Sequence, residues 1–420
     1  MHHSLTLKYH FLKRISPSQV FMLSSLIVSG GNYAYNLLLG RFLGPEKFAD
    51  AAIMITFLIV LSFIAMTVQL ATAKFRVLLE GEELKQFMQF IYSVSLGLGV
   101  LLGGVVMSMS GFLQEWLNTS TESMFLIFSF GIPLYFVMSV NRGSFQGGEQ
   151  LYKLSGTYLL EMLSRLVITI ALIFISSIQH SNVVSIGVLL SLVCALFPFD
   201  RSLFSLRIKP ILKNSILRSL GAFILITGLY ELTQIIINNS DIILVKYFFS
   251  SYEAGLYASI ALVGRIIYFV TWMFVMLLLP TVVKLKKEGQ RTTPILMKYV
   301  SYTLVIAFSI VLVTFLFPEI IIELLFGEAY LPYADLLWKY ALATSFFAVS
   351  NIFAYYFLSI EIYSPIAISA FFGVLQILLV IVYHDSILQV IYMQILAMSL
   401  LFVVQLSYFL NKEFNTKTKI

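Results

Sequence analysis

The chain has 420 residues, of which 59% are hydrophobic and only 11% charged, and its mean hydropathy is +0.92. That balance excludes an ordinary soluble enzyme, so the solvent of this fold is lipid. In hydrocarbon every backbone N–H and C=O must be satisfied within the chain, and the apolar runs are about twenty residues long, roughly twice what a barrel strand needs, so helices are required.

Runs able to span fall near 18–40, 49–71, 87–109, 123–141, 154–177, 182–199, 219–240, 255–279, 295–317, 335–358, 364–383 and 387–409. The fold expected is an all-α integral membrane protein with about twelve transmembrane helices. The first run follows a basic start (Lys8, Lys13, Arg14) but is too long for a signal peptide and lacks a small-residue cleavage site, so it reads as a retained helix.

With the N-terminus inside, 21 of the 27 Lys and Arg fall in inner segments. Four (Arg41, Lys47, Lys246, Lys339) fall outside, where long basic side chains anchor at headgroups, and Arg165 and Arg265 fall within helices. This bias predicts that both termini are cytoplasmic in a multi-pass protein of the inner membrane. The net charge of +6 then reflects topology and contact with anionic membrane lipids, not nucleic-acid binding. A single cysteine, Cys194, excludes a disulfide framework and a cysteine metal site. Without a Walker A or His-Glu-x-x-His sequence, no cofactor or metal is expected.

Residues 200–218, basic and containing Pro210, divide the chain. The organisation expected is a tail (1–17), a six-helix lobe (18–199), a linker (200–218), a second six-helix lobe (219–410) and a tail (411–420). An offset of 206 lays FLGPEKFADAAIMITFLIVLSF (42–63) over FFSSYEAGLYASIALVGRIIYF (248–269), which suggests two repeated halves.

Polar side chains at helical spacing inside apolar runs are the most informative feature, because each is costly unless it faces the bundle interior or water. The seventh run carries Thr227, Glu231, Gln234, Asn238 and Asp241 on one stripe, and the first carries Ser25, Ser29, Asn32 and Asn36 at the same steps. The 206 offset lays Ser25 over Glu231 and Asn32 over Asn238. Two readings compete: interhelical glue, or the lining of a wet cavity. An Arg at a helix centre costs roughly 2.5–3.5 kcal/mol on insertion scales. Arg265 lies near the middle of run eight, on a face with Ala258, Ala261 and Tyr268, and Arg165 lies in run five with Glu161 one turn earlier, close enough to neutralise it. Gly99 and Gly103 form a small-residue packing pattern in run three.

Four stretches carry a family likeness: LLGRFLGPEKFADAA (38–52), NRGSFQGGEQLYKLSGTYLLEMLSRLVI (141–168), NNSDIILVKYFFSSYEAGLYASIALVGRI (238–266) and LLFGEAYLPYADLLW (324–338). In this order the chain resembles the polysaccharide flippases of the Wzx type, in the multidrug/oligosaccharidyl-lipid/polysaccharide exporter superfamily. The resemblance implies two pseudo-symmetric six-helix bundles around a central cavity, alternating access, and a polyprenyl-diphosphate-linked oligosaccharide as cargo. It further implies that glycans are assembled inside and polymerised or ligated outside, with a polysaccharide polymerase and other assembly proteins as partners.

The family is known for cationic side chains lining that cavity. Arg265 is the best match by position and Arg165 the second. On this reading the arginines hold the phosphates, Asn32, Asn36, Gln234 and Asn238 meet sugar hydroxyls, and Glu231 and Asp241 are candidates for proton or sodium coupling. Run two has no basic residue in its middle, where flippases of lipid-linked peptidoglycan precursors place one, which favours another precursor. Two other functions compete: an organic-cation antiporter of the same superfamily, which Glu231 and Asp241 would suit, and a membrane-embedded glycosyltransferase or polymerase, for which no paired acids or large outer domain are found.

Overall fold

The structure, a computed structural model, describes residues 17–175, 178–199, 213–360 and 362–417. All but the last residue of the expected N-terminal tail, most of the expected linker and the last residues of the C-terminal tail lie outside the described residues. Among those described the chain is helical, with no strand.

Helix α1 (Pro17–Leu78) holds the first two apolar runs and is broken at Gly44, whose φ of 72° and ψ of 170° are not helical. Glycine meets that positive φ without a Cβ penalty, and Pro45 restarts the helix with its missing N–H where none is needed. There follow α2 (Gly81–Ser108), α3 (Ser110–Trp116), α4 (Ser123–Gly147), α5 (Leu151–Ile175), α6 (His180–Ala195) and α7 (Asn214–Phe248). Next come α8 (Ser251–Gly264), α9 (Ile266–Lys287), α10 (Thr293–Leu316), α11 (Pro318–Leu325), a 3-10 segment (Glu328–Leu336), α12 (Leu337–Ser359), α13 (Ser364–Val382) and α14 (Ile387–Lys417). Each of the twelve apolar runs overlaps these helices, the fifth as far as Ile175 and the sixth as far as Ala195. Eight of the described helices are long and apolar enough to cross a membrane, with shorter apolar ones besides. The chain is thus an all-α, multi-pass membrane protein.

The eighth run is not one helix. It divides into α8 and α9 at Arg265, whose backbone nonetheless stays in the right-handed helical region (φ −73°, ψ −6°) and whose N–H still donates to the Ala261 carbonyl at 3.0 Å.

The chain forms two compact units. The first comprises Met1–Leu39 and Phe57–Glu231, the second Gly40–Thr56 and Leu232–Ile420. This differs from a division at 200–218: residues 40–56 pack within the second unit, and α7 belongs to the first as far as Glu231.

In the first unit α4 packs on α2 and α6, and α5 on α6. Gly99 and Gly103 lie where a Cβ would stand 2.8 Å from the Pro133 Cα and from the Ser129 carbonyl oxygen of α4, which is the close approach expected of that pair. Gly143 and Gly147, in the NRGSFQGG stretch after the fourth run, face the carbonyls of Gln69 and Ala73 so closely that neither tolerates a Cβ.

The second unit is organised on α12, which is buried along nearly its whole length against α8, α9, α10 and α14. Residues 40–56 are fastened into it at several points. Lys246 and Asp50 form a buried ion pair at 3.0 Å, and Lys246 also donates to the Ser251 hydroxyl at 2.7 Å. Tyr330 donates to the Gly40 carbonyl at 2.7 Å, and the rings of Phe48, Phe326 and Tyr330 form one cluster. Gly255 of α8 abuts the Pro45 carbonyl. The α7–α8 turn is set by a capping box: Ser250 accepts from the Glu253 amide while Glu253 accepts from the Ser250 amide at 3.2 Å. Lys246 is therefore a buried pairing residue, not the headgroup anchor its position suggests. Arg41 donates to the Leu324 carbonyl at 2.7 Å, and Lys339 lies over the Trp338 and Tyr392 rings.

Candidate functional site

Each unit contains a buried cluster built around arginine. In the first, Glu161 of α5 is shared by two guanidiniums: Arg142 of α4 at 2.7 Å and Arg165, one turn along α5, at 3.4 Å. Arg142 is 2% exposed and Arg165 7%. Arg142 is oriented by Thr157, donating to its hydroxyl and its carbonyl at 3.1 Å, and lies 3.8 Å over the Tyr158 ring. Arg165 donates to the Asn32 side-chain oxygen at 2.5 Å and faces the Tyr35 ring at 5.5 Å. Its Nε is buried without a partner. Two guanidiniums against one carboxylate leave one positive charge uncompensated among the described residues. Buried charge of this kind is expensive unless a ligand or solvent anion meets it.

In the second unit the arginine is fully matched. Arg265 donates through Nη2 to Asp241 Oδ1 at 2.7 Å and through Nε to the Tyr340 hydroxyl at 2.9 Å. The Tyr340 and Tyr257 hydroxyls both donate to Asp241 Oδ2, at 2.7 and 2.8 Å, and Gln394 donates to the Tyr257 hydroxyl. Gly264 lets this happen, because the Tyr340 ring occupies the place of its missing Cβ. A half-open cleft lies beside the cluster, lined by Asn238, Asp241, Arg265, Tyr340, Thr344 and Gln394 among others.

The residues singled out from sequence distribute as follows. Arg165 and Asn32 are brought into contact, and Asn36 donates to the Asn32 carbonyl at 2.8 Å. Arg265, Asp241 and Asn238 share the pocket of the second unit. Asn238 also donates to the Gln234 carbonyl at 2.8 Å, and the buried Gln234 Oε1 lacks a partner. Glu231 is half-buried and makes no hydrogen bond to a described residue. The Thr227 side chain lies outside the described residues.

Sequence reading missed Arg142, Tyr257, Tyr340 and Gln394. Arg142 lies just past the end of the fourth apolar run, where hydropathy places an inner loop, yet α4 continues through it to Gly147. The tyrosines and Gln394 carry no local signal, since their significance comes from helices far apart in the chain. Outside the spans, exposed Lys213 pairs with Glu83 at 2.6 Å, and that hydrogen bond raises the lysine's pKa above its usual value.

Each unit thus holds buried arginine among apolar helices, which defines the chain as an all-α membrane protein with polar sites in its interior. Comparisons agree. The family model described as polysaccharide biosynthesis protein matches residues 38–335, so the chain belongs to that family. Its fold is similar to the inward-facing conformation of a multidrug resistance MATE family transporter of the MOP superfamily, with TM-score 0.74 at 15% identity over 92% of this chain and 95% of that one. It is similar also to the lipid II flippase MurJ in an inward closed conformation, with TM-score 0.73 at 15% identity over 94% and 87%. No curated protein matches the chain.

Proposed function

We propose that this protein is a flippase, not an enzyme, which moves a polyprenyl-diphosphate-linked oligosaccharide from the inner to the outer leaflet of the bacterial cytoplasmic membrane by alternating access, with both termini cytoplasmic. The observation that carries this reading is the Arg142–Glu161–Arg165 cluster, which holds an uncompensated positive charge and an unpartnered Arg165 Nε among membrane-spanning helices. A diphosphate head is the anion that such a cluster suits, since a guanidinium matches phosphate oxygens in geometry as well as charge. The polyprenyl tail can stay in lipid, so the protein need only shield the head. Arg165 and Arg265 hold phosphate, while Asn32, Asn36, Gln234 and Asn238 offer hydrogen bonds to sugar hydroxyls. Membership of a polysaccharide biosynthesis family supports a glycan cargo.

The test is a reconstituted-liposome assay of whether a fluorescent polyprenyl-diphosphate oligosaccharide becomes accessible across the bilayer. Transport by the native protein, lost in Arg165→Gln and Arg265→Ala at equal folded amounts, is the expected result. One observation favours a second reading: Glu231 is a half-buried carboxylate with no described partner, as an organic-cation antiporter would need. Export of organic cations with no movement of several glycans would establish that reading instead.

A further inference from the structure

Asp241 is divided between two kinds of partner. Among the described residues its Oδ1 meets only Arg265 Nη2, at 2.7 Å, whereas Oδ2 takes both the Tyr340 and the Tyr257 hydroxyls. Removing Arg265 would leave Oδ2 still hydrogen-bonded, so the carboxylate would not be stranded. Arg265 is placed to be reached by a ligand. It sits at the junction of α8 and α9, its side chain is 11% exposed, and it lines a half-open cleft with Asn238 and Thr344 in the wall. Lys246, further along α7, is committed to Asp50 and offers Asp241 no second cation.

We propose that Asp241 is the resident counter-anion of Arg265, which a phosphate of the cargo displaces on binding and which retakes the guanidinium when the cargo leaves. This rests on the anionic cargo proposed above. The pair closes the site against weaker anions, because the affinity measured for any ligand falls by the fraction of molecules in which Arg265 is free. It also lets the empty protein cycle without a bare guanidinium in its apolar interior.

The experiment measures binding of farnesyl-diphosphate-linked N-acetylglucosamine to the purified full-length protein, with Asp241→Asn, which keeps the shape and removes the charge, and Arg265→Ala. Asp241→Asn is expected to bind about tenfold more tightly than the native protein and to turn over more slowly in liposomes, and Arg265→Ala to lose that gain when the two are combined. Equal or weaker binding by Asp241→Asn overturns the exchange while leaving the cargo intact. Failure of native protein and variant alike to bind overturns both. An equal gain for a phosphatidylglycerol analogue assigns the exchange to membrane headgroups and overturns it for the cargo. Should Asp241→Asn not fold, the native protein still decides: infrared difference spectra with carboxyl-labelled aspartate show a perturbed carboxylate on probe binding if Asp241 is released, and no change if it is not.

Discussion

Lys246 Nζ lies 3.0 Å from an Asp50 oxygen, with side-chain exposures of 1% and 5%. The pair joins α7 to the second segment of α1, inside one compact unit. Two charges so thoroughly withdrawn from water stabilise the fold only together, because either one alone would be a buried, uncompensated ion. Lys246→Met should therefore lower stability by about 3–5 kcal/mol, and Lys246→Met with Asp50→Leu should recover much of that loss. Thermal unfolding in detergent of the native protein, both single variants and the double variant checks it. Additive losses would mean the pair is not coupled.

The Glu161 carboxylate neutralises one of two arginines, so substitutions around it should be unequal. Glu161→Gln leaves two guanidiniums facing each other and should cost about 3–5 kcal/mol. Arg165→Gln leaves Arg142 and Glu161 balanced and should cost less, about 1–2 kcal/mol, while removing transport. Unfolding midpoints of the two variants decide the order, and the reverse order would contradict an excess of positive charge in the cluster.

Gly143 faces the Gln69 carbonyl, whereas nothing stands near the missing Cβ of Gly104. Gly143→Ala should destabilise by about 1–3 kcal/mol, as overpacking does when the obstacle is backbone. Gly104→Ala is the control and should be neutral or slightly stabilising. Parallel melting curves make the comparison.

Gly264→Ala acts nearer to the proposed chemistry. Its Cβ would collide with the Tyr340 ring, and the ring's displacement would withdraw the hydroxyl that touches both Arg265 Nε and Asp241 Oδ2. Flipping activity should fall severalfold, more than the accompanying change in melting temperature explains, and Tyr340→Phe should reproduce part of the loss. Initial rates in liposomes at matched protein density provide the measurement.

The sequence by itself determined the membrane class, the helical secondary structure and the twelve apolar runs, because lipid forbids unsatisfied backbone and the lengths of these runs suit helices. It also marked Arg165, Arg265, Asn32, Asn238 and Asp241, since a polar group in an apolar run is conspicuous before any partner is known. Local chemistry made Gly99 and Gly103 legible as packing positions. What only tertiary structure decided is who meets whom. Glu161 was visible as the neighbour of Arg165 on one helix, but its closer bond goes to Arg142 of another. Arg265 has no acidic neighbour within a turn of it in the sequence, yet Asp241, Tyr340 and Tyr257 converge on its site from three helices. Residues 40–56 belong by order to the first half and by contact to the second unit. The physical reason is common to all three: hydropathy and helical spacing act along one helix, whereas the balance of buried charge is settled between helices that lie far apart in the chain.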